Sequence, residues 1–298
     1  MKIKKALKIA GVILLAVLLV ISIGINIYFL FTYDSYLQTK EEIYIMESGM
    51  LLNTMDYAEG EDYEIVYDFE NAECSLLLEQ HGILETAGEG SEFQKALRLM
   101  DEYAPRLTHE SNFGGNVELK ALPLLEYSLD NPSQGINCRC KSQILNEMCL
   151  ALGIYSRKVW INPYSVYDDD CHVVNEVWDT TYNKWIMLDI TNNQYWIDEN
   201  GTPLSVTEIR EKGAMQEFCT PVCPGDDLSN PERLKEKYSH EFLYIMKNMM
   251  YFYCCDGQTS GETERMYMLI AENSGTDYEY LISEESWNRA PFKTEENQ

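Results

Sequence analysis

Three side chains in this sequence have the types and the spacing suited to nucleophilic catalysis: Cys138, His172 and Asp189. A cysteine attacks carbonyl carbons as its thiolate, and the N-terminus of a helix stabilises that anion. A neighbouring imidazole must accept and return a proton, and a third group must orient the imidazole. This set predicts attack on a carboxamide or peptide carbonyl to give a thioester, which requires no metal or organic cofactor.

The nucleophile needs a helix that begins at its own position. Ile144, Met148 and the pair Ala151–Leu152 recur at helical spacing after Cys138, and Gly153 follows where a helix C-cap glycine belongs. This pattern predicts a helix that begins at Cys138. The backbone N–H of the cysteine would then point toward an attacked carbonyl as one oxyanion donor.

The base and its partner need a pair of strands. Three strand-like runs follow the helix, at residues 156–161, 172–178 and 184–189. The last two flank a polar turn, which predicts a hairpin. If the loop covers Asp179–Tyr182, Trp178 pairs with Asn183. The same register places His172 directly opposite Asp189, with Cβ atoms about 4.5–5.5 Å apart, so that the carboxylate can fix the imidazole tautomer.

Together these motifs resemble the core domain of the transglutaminase-like superfamily, which shares the papain-like fold. The resemblance covers residues 93–210, and in that family Cys opens a helix, His opens a strand, and Asp closes a Trp-containing strand. It implies that Cys138 is the nucleophile, His172 the general base and acid, and Asp189 the orienting carboxylate. The matching runs are Gly135-Ile-Asn-Cys138, Ala151-Leu-Gly-Ile154, Asp170-Cys-His172-Val-Val-Asn175-Glu-Val-Trp178 and Lys184-Trp-Ile-Met-Leu-Asp189-Ile-Thr191.

The sequence departs from the family pattern at two positions, and neither change removes a catalytic group. Ile190 replaces the usual proline after the Asp, and Ser142 stands where a small alanine is frequent. Papain-like sites often take a Gln upstream of the Cys, which makes Gln134 a candidate second oxyanion donor, with a loop-capping role as the alternative. Asn175 and Trp178 are candidates either to line the cleft or to order the hairpin.

Other interpretations of the same residues remain open. Cys140 is a rival nucleophile, although the distance to Gly153 favours Cys138, and we expect a structural role for Cys171. A zinc site could use the three cysteines together with His172, but the usual spacing of paired zinc-binding cysteines is absent. A degenerate cleft that only binds peptides or proteins is the main alternative to an enzyme.

The N-terminus predicts a membrane anchor. Residues 9–33 contain no charged side chain and are rich in Leu, Ile and Val, and about 20 such residues are enough for a helix to cross a bilayer. The alternative is a secretory signal, but its apolar run is usually about 7–15 residues long. Four lysines within residues 1–8 favour a cytoplasmic N-terminus. We therefore expect a single-pass protein of the cell membrane with its catalytic domain outside the cytoplasm.

The composition limits the partners of the domain. The net charge of −26 argues against nucleic acid, because phosphate binding needs basic patches, and leaves a protein or peptide as the expected substrate. The nine cysteines include Cys219-x-x-x-Cys223 and the adjacent pair Cys254–Cys255, which could be bridges or buried thiols.

The predicted fold class is α+β, a papain-like or transglutaminase-like core in which a helix packs on an antiparallel sheet, preceded by one transmembrane helix. The predicted organisation is a basic cytoplasmic tail (1–8), an anchor (9–33), a juxtamembrane extension (34–90), the core domain (91–212) and a C-terminal extension (213–298).

Overall fold

A computed structural model describes residues 2–165, 168–272 and 278–292 of the chain. The chain forms two compact units, Met1–Met46 and Glu47–Gln298. The first unit consists of most of helix α1 (Lys2–Asn53). Within it, Ala10–Leu30 is a 21-residue stretch of mean hydropathy 2.7. The helix is therefore long and apolar enough to span a membrane, a property that it shares with signal sequences.

The second unit combines helices with a mainly antiparallel sheet. Its further helices are α2 (Ala72–His81), α3 (Ile83–Ala87), α4 (Glu92–Tyr103), α5 (Ala121–Asp130), α6 (Cys138–Ala151), α7 (Val206–Ala214), α8 (Pro231–Lys237), α9 (Ser239–Lys247) and α10 (Glu284–Asn288). Its strands are β1 (Val66–Tyr67), β2 (Ser156–Asn162), β3 (His172–Asp179), β4 (Lys184–Asp189), β5 (Gln194–Asp198), β6 (Cys219–Val222), β7 (Tyr251–Cys255), β8 (Gly257–Thr259), β9 (Gly261–Glu262) and β10 (Met266–Leu269).

Seven of these strands form one sheet in the order β10-β7-β2-β3-β4-β5-β6. All neighbouring strands in this sheet run antiparallel. Helix α6 packs on the sheet, and its apolar residues share the main core with α4, α5 and the inner face of β3 and β4. The α+β class and the packing of a helix on an antiparallel sheet are confirmed.

Helix α6 begins and ends where the sequence predicts. The side chain of Asn137 caps it by accepting a hydrogen bond from the N–H of Cys140 at 3.1 Å. At the other end Gly153 adopts φ +70°, and the N–H of Ile154 donates to the carbonyl of Cys149 at 2.9 Å. Residues 140–150 are all buried, because the helix has the sheet on one side and other helices around it.

The predicted hairpin register is wrong by two residues. Trp178 pairs with Trp185, whereas the prediction paired it with Asn183, and His172 therefore does not lie directly opposite Asp189. A shift of two residues keeps every side chain on its face, because side chains alternate with period two. His172 and Asp189 consequently still project from the same face, as diagonal neighbours.

The chemistry of the turn explains this shift. The carboxylate of Asp179 accepts hydrogen bonds from the N–H groups of Thr181 and Tyr182, at 2.9 and 3.0 Å. Asn183 takes the left-handed conformation, with φ +52°, which Asn tolerates better than most residues. Asp179 is thus the last residue of β3, and the turn occupies residues 180–183.

The compact unit extends beyond the predicted core domain on both sides. It begins at Glu47, and three strands of the seven-stranded sheet, β6, β7 and β10, come from the region after residue 212. The predicted limits at 90/91 and 212/213 are therefore not boundaries between compact units. Residues 1–46 form the other unit, which includes the predicted tail and anchor.

The flanking regions contribute short elements. Helix α9 ends at Lys247, and Tyr251 begins β7. Residues 256–264 contain β8 and β9, and β1 covers only Val66–Tyr67. At the start of α4, Ser91 and Gln94 form a capping box.

All nine cysteines are free thiols. Cys219, Cys254 and Cys255 are buried, and Cys223 is half-buried. These four residues were predicted to be either disulfide bridges or thiols, and in the structure they are thiols.

A buried ion pair joins the sheet to the C-terminal helix. Arg157 and Glu176 are at most 1% exposed, and their side chains meet at 2.6 Å. The guanidinium lies between the rings of Trp185 and Trp287, at 4.2 and 4.3 Å, and donates to the carbonyl of Trp287 at 2.9 Å. The second carboxylate oxygen of Glu176 accepts from the N–H of Val206 at 2.9 Å, so this network also holds the start of α7.

Because the pair is fully buried, replacing Arg157 by Met leaves the Glu176 carboxylate buried without its cation. We expect Arg157→Met to lower the free energy of unfolding by about 3–5 kcal/mol, measured by urea titration with tryptophan fluorescence. Lys184→Met is the matched control, since Lys184 bonds Glu208 at a partly exposed site and should cost under about 1 kcal/mol. Equal losses in the two variants would contradict this account.

Candidate active site

Cys138 is the first residue of α6 and is half-buried. The N–H groups of the first helical turn have no acceptor within the helix, so this position places a sulfur at the positive end of the helix dipole. Asn137 uses its side chain to cap the N–H of Cys140, which leaves the N–H of Cys138 available to an acceptor at the site. The location suits a stabilised thiolate with one oxyanion donor.

His172 and Asp189 meet at the end of the sheet where β3 begins and β4 ends. The Nε2 atom of His172 lies 2.9 Å from Oδ2 of Asp189, and the two side chains are 4% and 1% exposed. The other ring nitrogen, Nδ1, is left for Cys138, which lies close enough to this imidazole for each group to shift the pKa of the other. The structure thus brings together the three side chains that the sequence singled out.

The turn after β4 fixes the Asp189 carboxylate. Oδ2 also accepts from the side-chain amide of Asn192 at 2.8 Å, and Oδ1 accepts from the N–H of Thr191 at 2.9 Å. Ile190, which stands where the family has proline, is fully buried in the main core. The sequence reasoning missed Asn192, although an Asp followed by polar residues two and three positions later is typical of an Asx-turn.

The electrostatics of the site favour an ionic thiolate–imidazolium pair. Burial alone raises the pKa of the Cys138 thiol, but the hydrogen bond and the charge of His172 outweigh it, and the pKa lies below the ordinary thiol value. Burial also disfavours a charged His172, yet the charge and hydrogen bond of Asp189 raise the pKa of the imidazole to about 10. The pKa of Asp189 is lowered despite burial, because His172 and Asn192 stabilise its carboxylate.

Two hydrogen bonds fasten α6 to β3 beside the site. The hydroxyl of Ser142 donates to the carbonyl of Val173 at 2.8 Å, and the side-chain amide of Asn175 donates to the carbonyl of Ser142 at 2.9 Å. Ser142 lies one turn after Cys138, and Val173 follows His172 directly. Of its two predicted roles, Asn175 therefore has the ordering one, since it is fully buried and ties the strand to the helix.

Trp178 and Gln134 have roles other than lining the cleft. Trp178 is six residues after His172, about 20 Å along an extended strand, and its ring packs against Phe292. The side-chain oxygen of Gln134, in the loop after α5, accepts a hydrogen bond at 2.7 Å from the hydroxyl of Tyr127 in that helix. This contact fits the loop-capping alternative for Gln134, and Trp178 is a core residue at the far end of the hairpin.

The rival cysteines have different surroundings from Cys138. Cys140 is 5% exposed in the main core, and burial raises the pKa of its thiol to about 11. Cys171 is exposed, which contradicts the structural role expected for it. Within residues 2–165, 168–272 and 278–292, no three Cys, His, Asp or Glu side chains come together as a metal-binding group.

Tyr244 of α9 is a neighbour of the site that the sequence did not reveal. Its ring meets the His172 ring at 5.6 Å with an interplanar angle of 72°, an edge contact that limits the movement of the imidazole. Its hydroxyl donates to Asp170 at 3.2 Å, and Lys247 binds the same carboxylate at 2.9 Å. No local pattern identifies Tyr244, because the contact joins residues more than 70 positions apart.

The match to a known protein family agrees with this assignment of the core. The sequence profile of the Transglutaminase-like superfamily matches residues 82–190. A crystal structure from Cytophaga hutchinsonii, described as a "putative cysteine protease", aligns with a TM-score of 0.31 and 14% identity. The alignment covers 55% of this chain and 51% of that chain, so this chain spans about half the length of that protein. No curated protein matches the sequence.

The ionic pair predicts a pH profile for alkylation of Cys138. Because the imidazolium stabilises the thiolate, reaction with iodoacetamide should be half-maximal below the pH of about 8.5 that is typical of a free thiol. Replacing His172 by Gln removes that charge, and we expect the midpoint to rise by about 1–2 pH units. Trypsin cleaves after Arg139 and separates Cys138 from Cys140, so mass spectrometry can follow each thiol.

His81→Gln is the control for this experiment. His81 is the last residue of α2, where its carbonyl accepts a hydrogen bond from the Tyr103 hydroxyl at 2.8 Å, and its replacement should leave the midpoint unchanged. An unshifted profile in His172→Gln would show that the imidazole does not stabilise the thiolate.

Proposed function

We propose that this chain, whose residues 82–190 match the profile of the transglutaminase-like superfamily, is a membrane-anchored cysteine enzyme that transfers the acyl group of an amide or peptide substrate. The observation that carries the proposal is the 2.9 Å contact of His172 with Asp189, made beside a half-buried cysteine at a helix N-terminus. This arrangement supplies a nucleophile, a proton carrier and an orienting carboxylate within one site.

In the first half-reaction the Cys138 thiolate attacks the carbonyl carbon and forms a carbon–sulfur bond. Negative charge develops on the carbonyl oxygen, where the N–H of Cys138 can donate a hydrogen bond. His172 then gives its proton to the departing nitrogen as the carbon–nitrogen bond breaks, which leaves a thioester and a free amine or ammonia. Asp189 stays ionised and holds the imidazole in place.

In the second half-reaction an incoming nucleophile releases the enzyme. His172 accepts a proton from the nucleophile, the carbon–sulfur bond breaks, and Cys138 returns to its thiolate form. Water gives a carboxylic acid, which is peptidase or amidase activity, whereas an amine gives a new amide, which is cross-linking. Both outcomes use the same three side chains, so access of water or amine to the thioester decides between them.

Loss of the nucleophile tests the enzyme proposal directly. We expect Cys138→Ala to lower turnover by at least about 1000-fold, because the thioester can no longer form. Cys140→Ala is the matched control and should keep most activity, since Cys140 lies in the core. Hydrolysis of a peptide pool and incorporation of a labelled amine, measured side by side, separate the two activities. Equal activity in wild type and Cys138→Ala would exclude this nucleophile, and an inert Cys138 thiol would indicate a binding module.

The N-terminal helix supports the cellular part of the proposal. Ala10–Leu30 is long and apolar enough to act as a single-pass anchor, and the lysines before it favour a cytoplasmic N-terminus. The catalytic unit would then lie outside the cytoplasm and act on proteins or peptides there. Its net negative charge makes nucleic acid an unsuitable partner.

An anchor and a cleaved signal give different N-termini. We expect the full-length chain to remain in the membrane fraction after alkaline carbonate extraction and to retain residues 9–33 on N-terminal peptide mapping. Removal of residues 1–33 should move the protein to the soluble fraction. A mature chain that begins after the apolar stretch would instead identify a secretory signal.

A further inference from the structure

A buried lysine without an anionic partner lies next to the catalytic side chains. Lys141 is in α6, three residues after Cys138, and is only 2% exposed. Among the residues that the structure describes, no acceptor forms a hydrogen bond or ion pair with its Nζ atom. Other buried cations of this protein do have partners, since Arg157 binds Glu176 and Lys158 binds Glu262.

The geometry of the helix directs Lys141 toward the nucleophile. Residues three apart share a helix face, with Cβ atoms about 5–6 Å apart, and long side chains on a helix point back toward its N-terminus. The ammonium group is close enough to Cys138, Asp189 and His109 to interact with each of them electrostatically.

An ammonium without an anionic partner at such a site is costly, because burial of the side chain removes part of its hydration. Burial lowers the pKa of Lys141, and the negative charges of Asp189 and Cys138 act in the opposite direction. Asp189 is already saturated by His172, Asn192 and Thr191. An anion brought by the substrate would supply the missing partner.

We propose that Lys141 binds a carboxylate of the substrate close to the scissile amide, so that the preferred substrates carry an acidic side chain or a free carboxyl terminus there. This inference rests on the proposed function, because it assigns the substrate class of the same site. The net charge of the protein is −26 and repels anions at long range. Recognition by Lys141 therefore acts at short range, after the substrate has entered the cleft.

Two alkylating reagents that differ in charge test the proposal without knowledge of the substrate. In each, the Cys138 thiolate displaces iodide from carbon, but iodoacetate carries a carboxylate where iodoacetamide carries a neutral amide. We compare the ratio of the two alkylation rates at Cys138 in the full-length protein and in Lys141→Met, which keeps the length of the buried stem. We expect the iodoacetate rate to fall about tenfold or more in the variant, with the iodoacetamide rate nearly unchanged.

Arg139→Met is the matched control, because it also removes one positive charge from the first turns of α6. Arg139 is already paired with Glu262, at 3.0 Å, so its loss should change the rate ratio much less than the loss of Lys141. An equal effect of both variants would attribute the preference to general charge near the cleft and overturn the proposal. An unchanged ratio in Lys141→Met would overturn it as well.

The outcomes also separate this inference from the function on which it rests. Suppose that iodoacetamide reacts rapidly at Cys138, that this rate depends on His172, and that Lys141→Met leaves the ratio of the two alkylation rates unchanged. The carboxylate proposal then fails and the enzyme proposal survives. If Cys138 is inert to both reagents, both proposals fail. With peptides, a Glu beside the scissile amide should lower KM relative to Gln in the wild type, and Lys141→Met should abolish that difference.

Discussion

The site depends on one constraint, which is that the first turn of α6 must stay against the beginning of β3. Hydrophobic packing holds the helix on the sheet, but apolar contacts are not directional and do not fix its position along the strand. The Ser142 hydroxyl and the Asn175 amide fix the position of α6 along β3, since each donates a hydrogen bond to a main-chain carbonyl of the other element. A sliding movement of α6 would break both bonds and carry Cys138 away from His172. The departure from alanine at Ser142 thus has a structural role.

The sequence predicted the site well where local signals were sufficient. The start of α6 follows from its apolar spacing and its terminal glycine, and the strands of the hairpin follow from their Val-rich and Trp-rich runs. The register was predicted wrongly because it depends on a single turn. In that turn Asp179 is the last residue of β3 and caps the turn with its carboxylate, and Asn183 belongs to the turn and not to β4. The two-residue error preserved the face of each strand. His172 and Asp189 therefore still meet, but as diagonal neighbours, whereas the prediction placed them directly opposite each other.

Long-range contacts could not be predicted in the same way. Tyr244 meets His172 because α9 folds back to the sheet, and β7 enters the sheet beside β2 almost 90 residues later in the chain. Such pairings leave no periodic pattern near either partner. Trp178 shows the converse limit: an aromatic residue near a catalytic motif in sequence lies far from it in space, because a strand is extended. Lys141 was overlooked for a related reason, since only burial without a partner distinguishes it from a solvated lysine.

The order of the strands determines how far the protein can be shortened. The catalytic hairpin lies in the middle of the sheet, with β2 and β5 on either side, and these two are covered by β7 and β6 from the last third of the chain. A fragment that ended near residue 212 would leave the main-chain donors and acceptors of β2 and β5 open along both margins. Unpaired strand margins recruit other chains, so such a fragment would tend to self-associate even with all three catalytic side chains present. The segment that carries the family likeness therefore lacks the strands that cover both margins of its own part of the sheet.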